Sequence, residues 1–183
     1  PLMAQKKMKP EMTELWEPVP ELINPGDHST PPSDAILLFD GSDLSQWINA
    51  DTGQAANWII NSDGSMTVQK DGGIETKDEF ESIQLHIEWR TPKKIKGKGQ
   101  GRGNSGVYFQ KTYEIQVLDS YNNRTYSNGQ AASIYKQSIP LVNASRPPGE
   151  WQTYDIIFNE PQYDAKGKRL KKGSFTVFHN GVL

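Results

Sequence analysis

The stretch NSGVYFQKTYEIQVLD, residues 104 to 119, decides how this chain is read. In it Val107 and Phe109 alternate with Tyr108 and Gln110, and Ile115 and Val117 alternate with Glu114 and Gln116. A period of two places successive side chains on opposite faces, so each run is a strand with an apolar side and a polar side. Lys111 and Thr112 read as the short link between the two strands. Leu85 to Arg90 repeats the pattern, with Leu85, Ile87 and Trp89 on one side and His86, Glu88 and Arg90 on the other. If the three strands share a sheet, one polar face carries His86, Glu88, Arg90, Tyr108, Gln110, Glu114 and Gln116, and the chemistry belongs there.

Working outward, turn signals recur about every ten residues, and no segment of ten or more shows capped helical periodicity. Ala35 to Asp40 is a short apolar run ending at Gly41, read as a strand and a turn. Trp58-Ile59-Ile60 and Met66-Thr67-Val68 flank Asn61-Ser62-Asp63-Gly64, a hairpin signature. Trp151 to Phe158 alternates as a further strand, and Phe175 and Val177 mark the last one, which runs into Asn180-Gly181. That dipeptide suits a type I′ turn, because Asn and Gly accept positive φ. The pattern predicts an all-β chain, and best fits a sandwich of two sheets.

Residues 1–33 hold seven of the twelve prolines without alternation and read as an extended leader. Residues 34–183 form one domain on this reading. The chain opens at Pro1 rather than Met, and the hairpin after His179 returns only as Val182-Leu183. The expectation is that a leader has been removed and that the last strands of the domain are missing.

Lys plus Arg number 20 against 22 Asp plus Glu, a net charge of −2 that offers no field for nucleic acid or an anionic membrane. No apolar run spans a bilayer, so no membrane span is expected. The absence of Cys removes disulfides and thiolate metal sites and leaves the compartment open. The glycine-rich basic tract Lys93–Arg102 is not followed by a helix, so it reads as a mobile loop at the rim of the face rather than a phosphate loop. The sequence is silent on oligomeric state.

The landmarks LFDGSDLSQW, Trp58 with the turn NSDG, IETKDEFESIQLHIEWR, NSGVYFQ, YEIQVLD, SIY, PPGEWQTYDI and HNGV follow one another in an order that resembles the 3-keto-disaccharide hydrolase domain. The likeness runs from about Asp34 to the end. It implies a concanavalin A-like jelly-roll sandwich of two antiparallel sheets and a secreted bacterial protein, periplasmic or extracellular. It also implies a carbohydrate substrate already oxidised. Retaining glucanases of the same fold place an aspartate between two acidic residues on one strand; here Gln116 stands in the middle, and a neutral amide argues against that chemistry.

A ketone at C3 acidifies the C2 proton, so a carboxylate can remove it, the C1 substituent can leave, and water can add back. Glu114 is expected as the base or acid, Arg90 as the group holding the enolate, and Glu88 as the second carboxylate. Each has a bland alternative: a solvated strand face for Glu114, and for Glu88 with Arg90 a surface ion pair of about 0.5 kcal/mol. Gln116, Asn104, Tyr108, Gln110, Asp119, Tyr135, His86 and His179 are expected to contact substrate. Asp119 joins them only across a bulge, and the tyrosines and histidines can equally be structural. No cofactor is evident, and a divalent ion is left open rather than demanded by the spacing. The rival to an enzyme is a carbohydrate-binding module using the same face without chemistry. A third reading is a surface interaction domain displayed by the leader.

Overall fold

The structure, a computed structural model, describes residues 9–27, 30–70 and 72–183. No α-helix occurs among them; the only helical turns are short 3-10 segments at Pro10–Thr13, Gly99–Gly101 and Ser127–Gly129. The chain divides into two compact units, Pro1–Asp78 and Glu79–Leu183.

In the first unit, β1 (Trp47–Asn49) pairs antiparallel with β4 (Ile74–Thr76), and β2 (Ile59–Ile60) forms the expected hairpin with β3 (Met66–Thr67). The Ala35–Asp40 run is not a strand. Ile36 and Leu37 are exposed, so no buried face imposes a strand's period there. Leu38 contributes instead its carbonyl, which accepts from Trp47 Nε1 at 2.7 Å.

The second unit holds the site. Strands β5 (Ile83–Trp89), β8 (Gln152–Asn159) and β11 (Ser174–His179) form an antiparallel sheet in the order β11-β8-β5. Strands β6 (Ser105–Phe109) and β7 (Tyr113–Val117) form a hairpin, and Ile134 bridges Ile115 beyond it. A separate pair, β9 (Gln162–Tyr163) and β10 (Arg169–Lys171), lies between β8 and β11 in sequence.

The alternation explains how these layers stack. Leu85, Ile87 and Trp89 of β5, Val107 and Phe109 of β6, Ile115 and Val117 of β7, and Tyr154, Ile156 and Phe158 of β8 join one core. Phe158 stacks on Phe175 at 4.7 Å between centroids and lies 5.2 Å from Phe109. Burying a side chain of this size contributes about 1.5–3 kcal/mol. Tyr154 is fully buried and crosses the core: its hydroxyl donates to Gln116 O (2.7 Å) and accepts from Ala132 N–H (2.8 Å). Two antiparallel sheets packed on one core in this way make the domain an all-β jelly-roll sandwich.

The sheet shared by three polar-faced strands does not form. β5 pairs with β8, and β6 with β7. Because both sheets turn their apolar sides to the same core, their polar sides face outward in opposite directions. His86, Glu88 and Arg90 therefore lie on one outer face, and Tyr108, Glu114 and Gln116 on the other.

Candidate active site

Register builds the site. Tyr108 is opposite Glu114 across the β6–β7 pair. The antiparallel Ile115–Ile134 bridge, with Tyr135 N–H donating to Glu114 O at 2.9 Å, sets Tyr135 opposite Glu114 on the other flank. Ile115 and Ile134 face the core, so Glu114 and Tyr135 share the outer side. The result is a row, Tyr108, Glu114, Tyr135, with the carboxylate in the middle.

Glu114 is half-buried. Burial pushes its pKa up from the ordinary glutamate value, and a hydrogen bond from the Tyr108 hydroxyl partly opposes this. Its carboxylate leans over Gly106, where there is no side chain to displace it. The Gln116 side chain lies between two groups of acceptors. With its nitrogen toward Glu114 Oε1 (3.1 Å) and Ser105 O (2.9 Å), it gives each a proton; reversed, it donates to Gln100 Oε1 (2.9 Å) and sets its oxygen against two acceptors. In either orientation the amide oxygen meets acceptors, since Gln100 Nε2 is committed to Gly129 O and Thr125 Oγ1 and leaves Gln100 Oε1 facing Gln116.

The glycine-rich loop supplies the wall of the site. Gln100 Nε2 donates to Gly129 O (2.8 Å) and Thr125 Oγ1 (3.1 Å), and Asn104 Nδ2 donates to Gln100 O (2.9 Å). Asn104 Oδ1 stands 3.5 Å from the Gln116 amide. Opposite, the Tyr126 ring covers Gly129 so closely that a Cβ at residue 129 would overlap it. The Tyr126 and Tyr135 hydroxyls are 2.5 Å apart. The Tyr126 pKa is pushed up to about 12 by that hydrogen bond, with burial and the charges of Tyr135 and Glu114 adding to it. Lys136 Nζ lies 5.3 Å from the centre of the Tyr135 ring.

Of the residues expected from the sequence, Glu114, Gln116, Asn104, Tyr108 and Tyr135 come together, and six stand elsewhere. His86 Nδ1 is 2.6 Å from Asp155 Oδ1 on the far outer face. Glu88 is exposed on that face, and the Arg90 guanidinium stacks over Trp151 at 4.6 Å. Gln110 is not on the strand but in its turn, with φ of 51°, and donates to Glu160 Oε2 at 2.9 Å. Asp119 is buried and turned onto Arg102, accepting from Nε at 2.9 Å and Nη2 at 2.5 Å. His179 is buried against Trp89 and Tyr154, with Nε2 3.2 Å from Gln152 Oε1. Tyr126 and Gln100 are the site residues the sequence reading lacked. Both sit outside regular strands, and only the adjacent glycines hinted at close packing there. Among the described residues, no three His, Asp or Glu side chains gather as a metal cluster.

Fold and face together define a concanavalin A-like jelly-roll sandwich with one carboxylate set among tyrosines and amides on an outer sheet face. Residues 34–183 match the 3-keto-alpha-glucoside-1,2-lyase-like domain, and the chain belongs to that family. It is similar to a candidate glycosyl hydrolase from Parabacteroides distasonis ATCC 8503, solved at 2.13 Å. The two share 50% identity and a TM-score of 0.90, over 98% of this chain and 78% of the other. A second candidate glycosyl hydrolase from that organism, solved at 1.70 Å, shares the fold at 20% identity and a TM-score of 0.56, over 80% of this chain and 69% of its own. No functionally curated protein matches the chain. No helix among the described residues is long and apolar enough to cross a membrane.

Proposed function

We propose that this domain cleaves the glycosidic bond of sugars oxidised at C3, with Glu114 as the base. Glu114 takes the C2 proton, and the electron pair moves onto the C3 carbonyl oxygen as an enolate. The enolate collapses, C1=C2 forms, and the C1 oxygen departs with a proton taken from water. Water then adds at C1 while C2 regains a proton, so the net change is hydrolysis. The observation that carries this is the position of Glu114 in the middle of the Tyr108–Tyr135 row, with burial raising its pKa toward the range useful to a general base. The family's description and the candidate glycosyl hydrolases it resembles support the same class of substrate.

One observation favours a second reading, a carbohydrate-binding module. Glu88 lies on the other sheet, so the face offers a single acidic group beside aromatic and amide groups that bind sugars without chemistry. The test is incubation of the protein with a 3-keto-α-glucoside and with the unoxidised glucoside, following aglycone release. Release from the keto compound alone, abolished in Glu114→Gln, is the expected result. Unchanged release by Glu114→Gln removes Glu114 from the base role, and binding of both sugars with release from neither favours the module.

A further inference from the structure

Elimination through an enolate needs a hydrogen-bond donor fixed where the negative oxygen appears. Arg90, expected in that role, lies on the β5 outer face. The Tyr108 hydroxyl is already bonded to Glu114. The next hydroxyls beside Glu114 are those of Tyr135 and its partner Tyr126.

We propose that Tyr126 and Tyr135 act as one hydrogen-bonding unit that holds the C3 oxygen of the substrate as it becomes an enolate. The inference rests on the lyase reading above. Two phenols carry two protons, and the bond between the hydroxyls, at 2.5 Å, consumes one. The second proton is free to be donated outward. A hydroxyl that accepts one hydrogen bond while donating another is a stronger donor than an isolated one, so pairing polarises the outward O–H.

Position supports the assignment. Tyr135 is directly opposite Glu114, and its backbone is tied there by the Glu114 carbonyl. Tyr126 is 42% exposed, so its hydroxyl is open to an incoming ligand, while the bare Gly129 lets its ring pack down. Gly129 O is in turn held by Gln100. The donor pair is thus fixed before substrate arrives, as electrostatic stabilisation of a transition state requires. With its pKa near 12, Tyr126 also stays protonated at neutral pH and remains a donor.

The step balances. The C2–H electron pair shifts to the C2=C3 bond, the C3=O pair moves onto oxygen, and that oxygen accepts the tyrosine hydrogen bond without a proton leaving the phenol. When C1–O breaks, the pair returns and C3=O is restored. No oxidant or reductant enters.

The experiment measures kcat and KM for aglycone release from a chromogenic 3-keto-α-glucoside. The proteins compared are the wild type, Tyr126→Phe, Tyr135→Phe, the double variant and Glu114→Gln. Phenylalanine keeps both rings, and thermal melting confirms that each variant is folded. Each single variant should lose about 100-fold in kcat with KM little changed, and the double variant should lose no more than the worse single, because the two act as a unit. Unchanged kcat in Tyr126→Phe and Tyr135→Phe, with Glu114→Gln inactive, overturns the dyad and leaves the lyase reading standing. Losses that multiply in the double variant also overturn it, since they describe two independent donors. A wild type inactive on the keto-glucoside overturns both.

Discussion

Gly106 lies directly beneath the Glu114 side chain: a methyl group built on its Cα falls 2.8 Å from Glu114 Cγ and 2.9 Å from Cδ. Both distances are below any real carbon–carbon contact, so alanine there must push the carboxylate aside. Gly106→Ala should cost about 1–3 kcal/mol of stability as an overpacked site, and reduce turnover of a 3-keto-glucoside about 100-fold through misplacement of the base. Urea unfolding and steady-state kinetics on one preparation check both. Wild-type kcat in a folded Gly106→Ala protein would show that the Glu114 position does not matter to turnover.

The Tyr108 hydroxyl lowers the Glu114 pKa while burial raises it. Removing the hydroxyl leaves the burial effect unopposed. Tyr108→Phe should therefore move the acid limb of the kcat/KM profile to higher pH, because the base must be deprotonated to accept the C2 proton. An acid limb that stays put or moves to lower pH would place the titrating group elsewhere.

Asp119 and Arg102 form a buried ion pair that closes the base of the glycine-rich loop, and Asp119 N–H donates to Arg102 O at 3.0 Å. Asn123 Nδ2 extends the clamp by donating to Asp119 O (2.7 Å) and Gly99 O (2.9 Å). Asp119→Ala leaves the guanidinium buried without its partner and should cost about 3–5 kcal/mol. The same loop carries Gln100 and Asn104, so activity should fall below what the unfolded fraction explains. Chemical denaturation compared with activity per folded molecule separates the two losses.

The strands were legible wherever one face is buried. β5, β7 and β8 alternate because a one-residue slip would turn every core side chain into water, and Asn180-Gly181 is a turn with both φ values positive, as the dipeptide suggests. Sheet membership was not legible. Alternation says which side of a strand is apolar but not which strand lies beside it, and β5 pairs with β8, Ile83 meeting Phe158. Hence Glu114, Gln116 and Tyr108 could be read as one face from neighbouring strands, while Glu88 and Arg90 were placed with them only by assuming a shared sheet. Tyr126 had no periodicity to betray it; its place is set by packing on Gly129 and by one hydroxyl contact.

His179 gives a prediction about stability alone. Burial, with the Arg146 charge adding, depresses its pKa from 6.5 to about 4. In the unfolded chain the imidazole protonates near its ordinary value, so between those limits the unfolded state binds the extra proton. The stabilisation is therefore full above pH 6.5 and is lost as pH falls toward 4. It amounts to roughly 3 kcal/mol at most. Urea unfolding at pH 7 and pH 4.5 should show this loss in the wild type and a smaller one in His179→Gln. An equal loss in both proteins would assign the pH dependence to other groups.

Arg90 stacks on Trp151, and Glu88 is exposed on the same outer face, away from the Glu114 row. An exposed cation–π contact contributes about 0.5–1 kcal/mol, so Arg90→Ala should destabilise by that amount and leave kcat/KM for a 3-keto-glucoside within about twofold of wild type. Glu88→Gln should leave both stability and kcat/KM close to wild type. Kinetics of the two variants beside Glu114→Gln make the comparison decisive. If Arg90→Ala or Glu88→Gln lost activity on the scale of Glu114→Gln, the reaction would have to run on the β5 face, and the tyrosine-flanked carboxylate would be a binding feature instead.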